Sequence, residues 1–315
     1  MAGVIEQSSK AVQRGVVYPG WVKPSPKRVP GAAQRAGAAP LLVFVRGILD
    51  SLNPSERRIA DYILEDPERV LYHSIGEMKQ RCGASVGSIV GFCRTLGARG
   101  FADLKIALAR ELAGHGFAPK EEPDETVSVF EQTFRLHAKS LKETSLINSD
   151  ATLNQAVRTL EKARTIHIFS IGLSHAVAYA AYCKFALIGL DSFAEMDAHM
   201  QLIHATKLRK GDVAFGISCS GHTRETVRCL EVARERKATT ICLTNSIRSP
   251  ITRFADIALH ATPSEVNYFQ APLASRVTQL AVIDALFAAL ALGRKARTMA
   301  HLHKVGEELM EHRAE

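Results

Sequence analysis

The sequence predicts an α/β protein, a domain built on a parallel β-sheet and preceded by a small all-α helix-turn-helix domain. Three observations carry this. From residue 151 onward, short β-rich runs alternate with helical stretches of roughly 10–15 residues, the pattern of a parallel sheet covered on both faces. Residues 41–118 hold a series of short helical periods with Gly-containing breaks and no strand signal. The chain has 315 residues, 46% hydrophobic and 23% charged, enough for two domains that each bury a core.

The elements follow in order. Residues 1–40 carry Pro19, Pro24, Pro26, Pro30 and Pro40 with scattered Lys and Arg, and read as a disordered basic tail. Leu41, Leu42, Phe44, Val45, Ile48 and Leu49 recur at helical spacing. Asn53-Pro54-Ser55-Glu56 marks a turn and a helix start, with Ile59, Tyr62 and Ile63 on the inward face. Pro67 is expected to open a short turn. Ser74 caps a further helix, with Glu77 at the capping-box position. Cys82-Gly83-Ala84-Ser85 is a tight break, after which Ser85 caps a helix that Gly97 ends. A last helix starts near Ala102. Helix, Gly-containing turn and helix over 74–97 fit a helix-turn-helix.

Residues 119–150 read as a linker and connecting helix, the helical pattern resuming from Thr126 to Leu146. Within 151–293, β-rich runs are predicted at 165–171, 212–217, 239–244 and 256–260, with helices at 176–188, 223–236 and about 273–292. Residues 294–315 read as a closing charged helix.

Composition excludes collagen-like, mucin-like and wholly disordered chains. No uncharged apolar run reaches the ~18–20 residues of a membrane span. The best stretch, 281–293, is interrupted by Asp284 and reads as a buried helix. Residues 1–15 lack a signal-peptide core, so a cytoplasmic protein with no membrane partner is expected. The six cysteines form no C-x-x-C pair, and reduced thiols in or near the core are expected. Glu195, His199 and His204 invite a metal reading, but the two histidines are five apart and no second pair completes them; no metal and no cofactor is expected.

The net charge of +8 is uneven: residues 1–120 carry +7 and residues 121–315 carry +1. The tail accounts for +5 of this, while 74–110 hold six basic and two acidic side chains. A basic first part beside a near-neutral second part suggests that only the first meets a polyanion.

In an open parallel sheet, ligands bind beyond the carboxyl ends of the strands. Two such ends carry hydroxyl-rich loops that enter helices: Ile171-Gly172-Leu173-Ser174-His175 and Ser218-Cys219-Ser220-Gly221-His222-Thr223. Helix starts present unpaired N–H groups and partial positive charge, suited to phosphate. Neither loop has the Lys of a nucleoside-triphosphate P-loop, and only Gly172 matches a dinucleotide fingerprint. The competing interpretation is that these serines only cap helices.

These residues resemble a known family. FSIGLSHAVA, GISCSGHTRET, TNSIRSP and APLASRVTQLAVIDAL are similar to the SIS, or sugar isomerase, phosphosugar-binding domain. LNPSERRIADYILEDPERV and SIGEMKQRCGASVGSIVGFCRTLGARGFADLK resemble the helix-turn-helix of RpiR-type transcriptional regulators. The resemblance covers about 41–293. It implies a non-enzymatic bacterial regulator with operator DNA and a phosphorylated sugar effector as partners, working as a homodimer or homotetramer. It implies phosphosugar contacts from Gly172, Ser174, Ser218, Ser220, Gly221 and Thr223, with Glu265, Ser275 and Arg276 facing the sugar. On the head, DNA contacts are expected from Lys79, Ser85, Ser88, Arg94, Arg99 and Lys105, with Arg81 a further candidate. The reading helix departs from the family in having Ser88 for Thr and Gly91 for Arg. The alternative from another class is a sugar-phosphate isomerase or amino-sugar enzyme, drawing an acid/base pair from Glu265, His175, His199 or His222. A third is a module that contacts protein and not DNA.

Overall fold

The computed structural model describes residues 40–115, 127–262, 267–268, 271–272 and 274–310. The head is made of six helices. In α1 (Leu41–Ile48), Leu41, Leu42, Val45 and Ile48 face inward. Its first amides donate to a distant carboxylate: Leu41 N–H to Glu111 Oε2, and Leu42 N–H to Oε1 at 2.9 Å. A negative group there complements the helix dipole. A 3₁₀ turn, Leu49–Ser51, leads to α2 (Pro54–Glu65). Asn53 caps α2 with Glu56 reciprocating, and Pro54 starts it where no N–H is needed. Pro67 opens not a turn but a helix, α3 (Pro67–Tyr72), because Asp66 accepts the Arg69 amide and caps it.

The α4 helix (Ile75–Cys82) starts with the predicted Ser74/Glu77 box and ends at Gly83, whose φ of +59° only glycine adopts without strain. Ser85 caps α5 (Val86–Thr95), Gly97 closes it at φ +82°, and α6 (Phe101–His115) follows. Ile59, Ile63, Met78, Ile89, Phe92, Leu96, Leu104 and Leu108 form one fully buried core. A residue from far along the chain, Ile247, packs against it.

The second part begins with α7 (Val129–Ile147) and α8 (Asp150–Lys162). Then come β1 (Ile166–Phe169), α9 (His175–Leu187), β2 (Ser192–Ala194), α10 (Ala198–Lys207), β3 (Val213–Ile217), α11 (Arg224–Glu235), β4 (Thr239–Thr244) and β5 (Ile257–His260). A short antiparallel pair, β6 (Asn267–Tyr268) and β7 (Ala271–Pro272), precedes α12 (Ala274–Gly293) and α13 (Lys295–Met310). The main sheet is parallel throughout, in the order β2-β1-β3-β4-β5.

Side chains alternate between its faces with the strand period of two. Ile166, Ile168, Val213, Phe215, Ile217, Ile241, Leu243, Ile257 and Leu259 pack on one side with Leu160, Val177, Phe185, Ile283 and Leu286 from α8, α9 and α12. Phe169, Ala214 and Cys242 pack on the other with Ala205, Cys229, Leu230 and Ala233 from α10 and α11. This is the doubly covered sheet that the alternating runs imply.

Several expectations are corrected. The sequence reading lacks α8, β2, α10 and the β6–β7 pair. Cys183 lies exposed on α9, and Cys219 sits half-buried in a loop. The α12 helix is apolar and long enough over Ser275–Gly293 to pass for a membrane span. Only one side of it is buried: Val282, Ile283, Leu286 and Leu290 face the core while Asp284, Ala285, Ala288 and Leu292 are exposed. Of the tail reading, all but Pro40 lies outside the described residues, as do 116–118 of the expected helix-turn-helix domain and 119–126 of the linker.

Candidate functional site

The strand order places a reversal of winding between β1 and β3. The chain leaves β1 toward β2, then returns to the other side through β3. At such a switch point the two crossovers diverge onto opposite faces and leave a crevice at the carboxyl ends. Phe169 pairs with Gly216, so the two serine loops leave neighbouring strands at nearly the same level.

The first loop runs from Ser170 through a 3₁₀ turn, Gly172–Ser174, into α9. Gly172 has φ +60°, and nothing lies within 4 Å of where a Cβ would stand. The Ser174 hydroxyl does not cap α9. Buried Ser170 has its backbone held on both sides by Gln201 of α10: its N–H donates to Gln201 Oε1 at 3.0 Å, and Gln201 Nε2 donates to its carbonyl at 2.8 Å. The same Nε2 reaches the Glu195 carbonyl at 2.9 Å, so this fully buried amide ties the exits of β1 and β2 together. Ser170 Oγ also lies 3.3 Å from His175 Nδ1.

The second loop turns tightly over buried Ser218, whose Oγ accepts the Gly221 amide at 3.1 Å and meets Thr223 Oγ1 at 3.0 Å. Thr223 is the N-cap of α11, yet its hydroxyl makes no capping bond. Gly221 has φ +69°; an added Cβ would lie 2.6 Å from Ser249 Cβ and 3.0 Å from Thr244 Oγ1. Ser220 is exposed, with its Oγ accepting the His222 amide at 3.2 Å. Exposed His222 turns back, Nδ1 lying 2.8 Å from the Ser220 carbonyl.

Capping distinguishes the two interpretations of these serines. Side chains cap α2, α3, α4, α5, α7, α8 and α10. The helices behind the two loops, α9 and α11, have no side-chain cap. Their amino termini therefore keep N–H groups for another acceptor. In the first turn of α11, Thr226 Oγ1 is buried without a partner.

Of the residues expected to face the sugar, Glu265 lies outside the described residues. Arg276 is half-buried in the first turn of α12, which is anchored to the second loop because Cys219 Sγ donates to Ser275 Oγ at 3.1 Å. Sequence reasoning missed the supports behind the second loop. Thr244 Oγ1 and Asn245 N–H both donate to the Cys219 carbonyl, at 3.1 and 2.9 Å, and Gln279 Nε2 donates to Asn245 Oδ1 at 2.8 Å. These are polar residues at strand and helix ends, with no local pattern to mark them.

On the head, Ser85, Gly87, Gly91 and Arg94 lie on the exposed side of α5, with half-buried Ser88. Ser85 Oγ accepts the Ser88 amide at 3.0 Å and meets Ser88 Oγ at 2.9 Å. Lys79 and Arg81 are exposed on α4. Two expected contacts already serve the fold. Lys105 Nζ donates to the His73 carbonyl at 3.1 Å. Arg99 pairs with Asp103 at 3.3 Å, which raises the guanidinium pKa and lowers that of the carboxyl. Arg58 was missed: its guanidinium donates to the Cys82 and Gly83 carbonyls at 3.2 and 3.1 Å, fixing the turn before the reading helix.

A family model described as the SIS domain matches residues 159–289, and one described as a helix-turn-helix domain of the rpiR family matches residues 41–115. An HTH-type transcriptional regulator of Caldanaerobacter subterraneus subsp. tengcongensis is 37% identical over 274 residues, 85% of this chain and 96% of that protein. The chain belongs to the RpiR family of HTH-type transcriptional regulators. The HTH-type transcriptional regulator HexR of Pseudomonas aeruginosa is 33% identical over 273 residues, 86% of this chain and 95% of that one. The sugar isomerase domain of an RpiR transcription factor from Sphaerobacter thermophilus matches with TM-score 0.54 at 27% identity, over 57% of this chain and all but 2% of that one. Vibrio vulnificus NanR, solved in complex with ManNAc-6P, shares the fold with TM-score 0.57 at 24% identity, over 87% of this chain and 100% of that one. As an RpiR-family member, the chain is a transcriptional regulator with a helix-turn-helix head and a SIS domain.

Proposed function

We propose that the crevice between β1 and β3 binds the phosphate of a phosphorylated sugar, and that its occupancy controls how the head engages operator DNA. One observation carries this reading: two hydroxyl-rich loops leave adjacent strands at the switch point, and the helices behind them, α9 and α11, have no side-chain cap. A phosphate there accepts from helix-start amides and from Ser174 and Ser220 hydroxyls. Ser218 and Thr223, bonded to each other, hold the second loop in shape, with Ser218 also accepting the Gly221 amide. Gly172 and Gly221 supply the left-handed backbone. Arg276 and Glu265 discriminate the sugar. The site acts by binding, without turnover, as the regulator names of the relatives support.

On the head, α5 enters the major groove with Ser85, Ser88 and Arg94 toward the duplex, while Lys79 and Arg99 meet phosphates. Lys105 contributes by holding the end of α3. Two heads on one operator require at least a homodimer.

The test is a thermal-shift screen of the full chain against hexose 6-phosphates, pentose 5-phosphates and N-acetylhexosamine 6-phosphates, with the unphosphorylated sugars alongside. A ligand at 100 times its Kd stabilises the folded state by about 2.7 kcal/mol. Stabilisation is expected only from phosphorylated compounds, and Ser220→Ala is expected to weaken it roughly tenfold for a lost charge-assisted hydrogen bond. Equal response to the unphosphorylated sugars, or no response to any phosphate, overturns the reading. Turnover of an added aldose or ketose phosphate would favour the enzyme alternative.

A further inference from the structure

We propose that residues 245–249, the loop leaving β4, form the mechanical link that carries the state of the anion site to the DNA-reading head. The inference rests on the phosphate reading of the second serine loop.

One side of the link is fastened to that loop. Asn245 N–H and Thr244 Oγ1 both donate to the Cys219 carbonyl, and Ile251 N–H donates to the Gly221 carbonyl at 3.1 Å. Ser249 fills the space where Gly221 lacks a Cβ. The other side is fastened to the head. Ile247 N–H donates to the Gly47 carbonyl of α1 at 2.8 Å, and the Ile247 side chain packs against the head core. A Cβ at Gly47 would lie 2.6 Å from Ile247 Cγ1, so the contact has no slack. The Arg248 guanidinium stands 5.9 Å from the centre of the Phe44 ring. Between these attachments Asn245, Ser246 and Ser249 are buried, and Ser246 Oγ donates to the Arg248 carbonyl at 3.2 Å.

A parallel polar route starts from the same residue. Asn245 Nδ2 donates to the Thr262 carbonyl, Thr262 Oγ1 donates to Glu143 Oε2 at 2.6 Å, and Arg46 of α1 pairs with Glu143 Oε1 at 2.9 Å. Both routes end on α1, whose Leu42, Val45 and Ile48 are part of the head core. Close-packed elements transmit a displacement to their neighbours because there is no void to absorb it. Any shift of the second loop on gripping an anion is therefore delivered to residues 44–47. Coupling is established only by showing that both sites bias the same element.

Amide hydrogen exchange of the full chain provides that evidence, with saturating inorganic phosphate as the probe. In wild type, phosphate is expected to slow exchange by about five-fold or more both at 218–226 and at 41–48. Ile247→Ala is expected to keep the slowing at 218–226 and reduce it at 41–48, and Ile247→Ala combined with Glu143→Ala, which also cuts the polar route, to lose it there. Gly47→Ala forces the contact apart and should uncouple likewise, while Gly47→Ala combined with Ile247→Ala restores the fit and the response. These variants provide readouts even if one of the single changes folds poorly. Slowing at 218–226 in wild type without any at 41–48 overturns the link and leaves the anion site standing. So does a response at 41–48 that survives Ile247→Ala combined with Glu143→Ala, which breaks both routes. No slowing at 218–226 overturns the anion site, and the link with it.

Discussion

Gly91 offers the sharpest test of where the head meets DNA. It lies on the exposed side of α5 between Gly87 and Arg94, and nothing stands within 4 Å of where its Cβ would be. Gly91→Arg therefore meets no steric penalty. Two effects of separate origin follow. Replacing Gly by Arg inside a helix gains about 0.8 kcal/mol of intrinsic propensity, worth a rise in Tm of roughly 1 °C for a protein of this size. If α5 lies in the groove, the new guanidinium also neutralises a phosphate and steepens the slope of log K against log salt by about 0.9 per head. Between about 50 and 200 mM salt the variant's affinity then falls roughly 3.5-fold more per head than that of wild type. Thermal melts read the first effect; fluorescence anisotropy on a labelled duplex over a salt series reads the second. The slope is readable on non-specific DNA, so no operator sequence is needed. A raised Tm with an unchanged slope refutes the placement of α5 against the duplex and favours a head that contacts protein.

Two further outcomes follow from the loops and from two half-buried histidines. Gly172 and Gly221 both sit at positive φ, so alanine at either costs roughly 1–2 kcal/mol of backbone strain. Only at Gly221 does the added carbon also meet Ser249 and Thr244, so Gly221→Ala should lower Tm at least twice as much as Gly172→Ala in parallel melts; equal losses would refute the close packing behind the second loop. Burial holds the half-buried His260 at a pKa of about 4, against 6.5 in the open chain. His167 is also held at about 4, by burial first and then by the charge of nearby His204. Between those values the unfolded chain binds more protons than the folded one, so stability rises with pH through the window and is lost as pH falls from 6.5 toward 4. His260 alone accounts for up to about 3 kcal/mol of this loss. Melts over that range should show the decline and His260→Asn should reduce it; an unchanged decline would assign it to other groups.

How much was legible in the sequence depended on whether the signal was local. The helix start at 53–56, the capping box at Ser74, the Ser85 cap and the breaks at Gly83 and Gly97 are set by neighbouring residues, and all appear where the spacing places them. The β-rich runs before the two serine loops were legible for the same reason, since a strand buried on both faces reads as an apolar run. The short edge strand β2 was not: it has three residues, with Phe193 half exposed. The α10 helix buries only Gln201 and Ala205, and α8 only Ala156 and Leu160, too few for an apolar stripe. Asp66 as a cap turned the expected break at Pro67 into α3. In the candidate site, the loops were visible because Ser, Gly and Thr cluster in sequence. Gln201, Asn245 and Arg58 were not, because their partners lie 31, 17 and 24 residues away. Lys105 looks like a DNA contact from charge alone; only tertiary structure shows its ammonium bonded to the His73 carbonyl.

The head also borrows Ile247 to complete its packing. Modularity is therefore narrower than the two matched families suggest. Cut out by itself, the 41–115 segment would show water a greasy notch beside Gly47. A chimera that grafts this head onto another sensor would need a matching aliphatic plug from its new host.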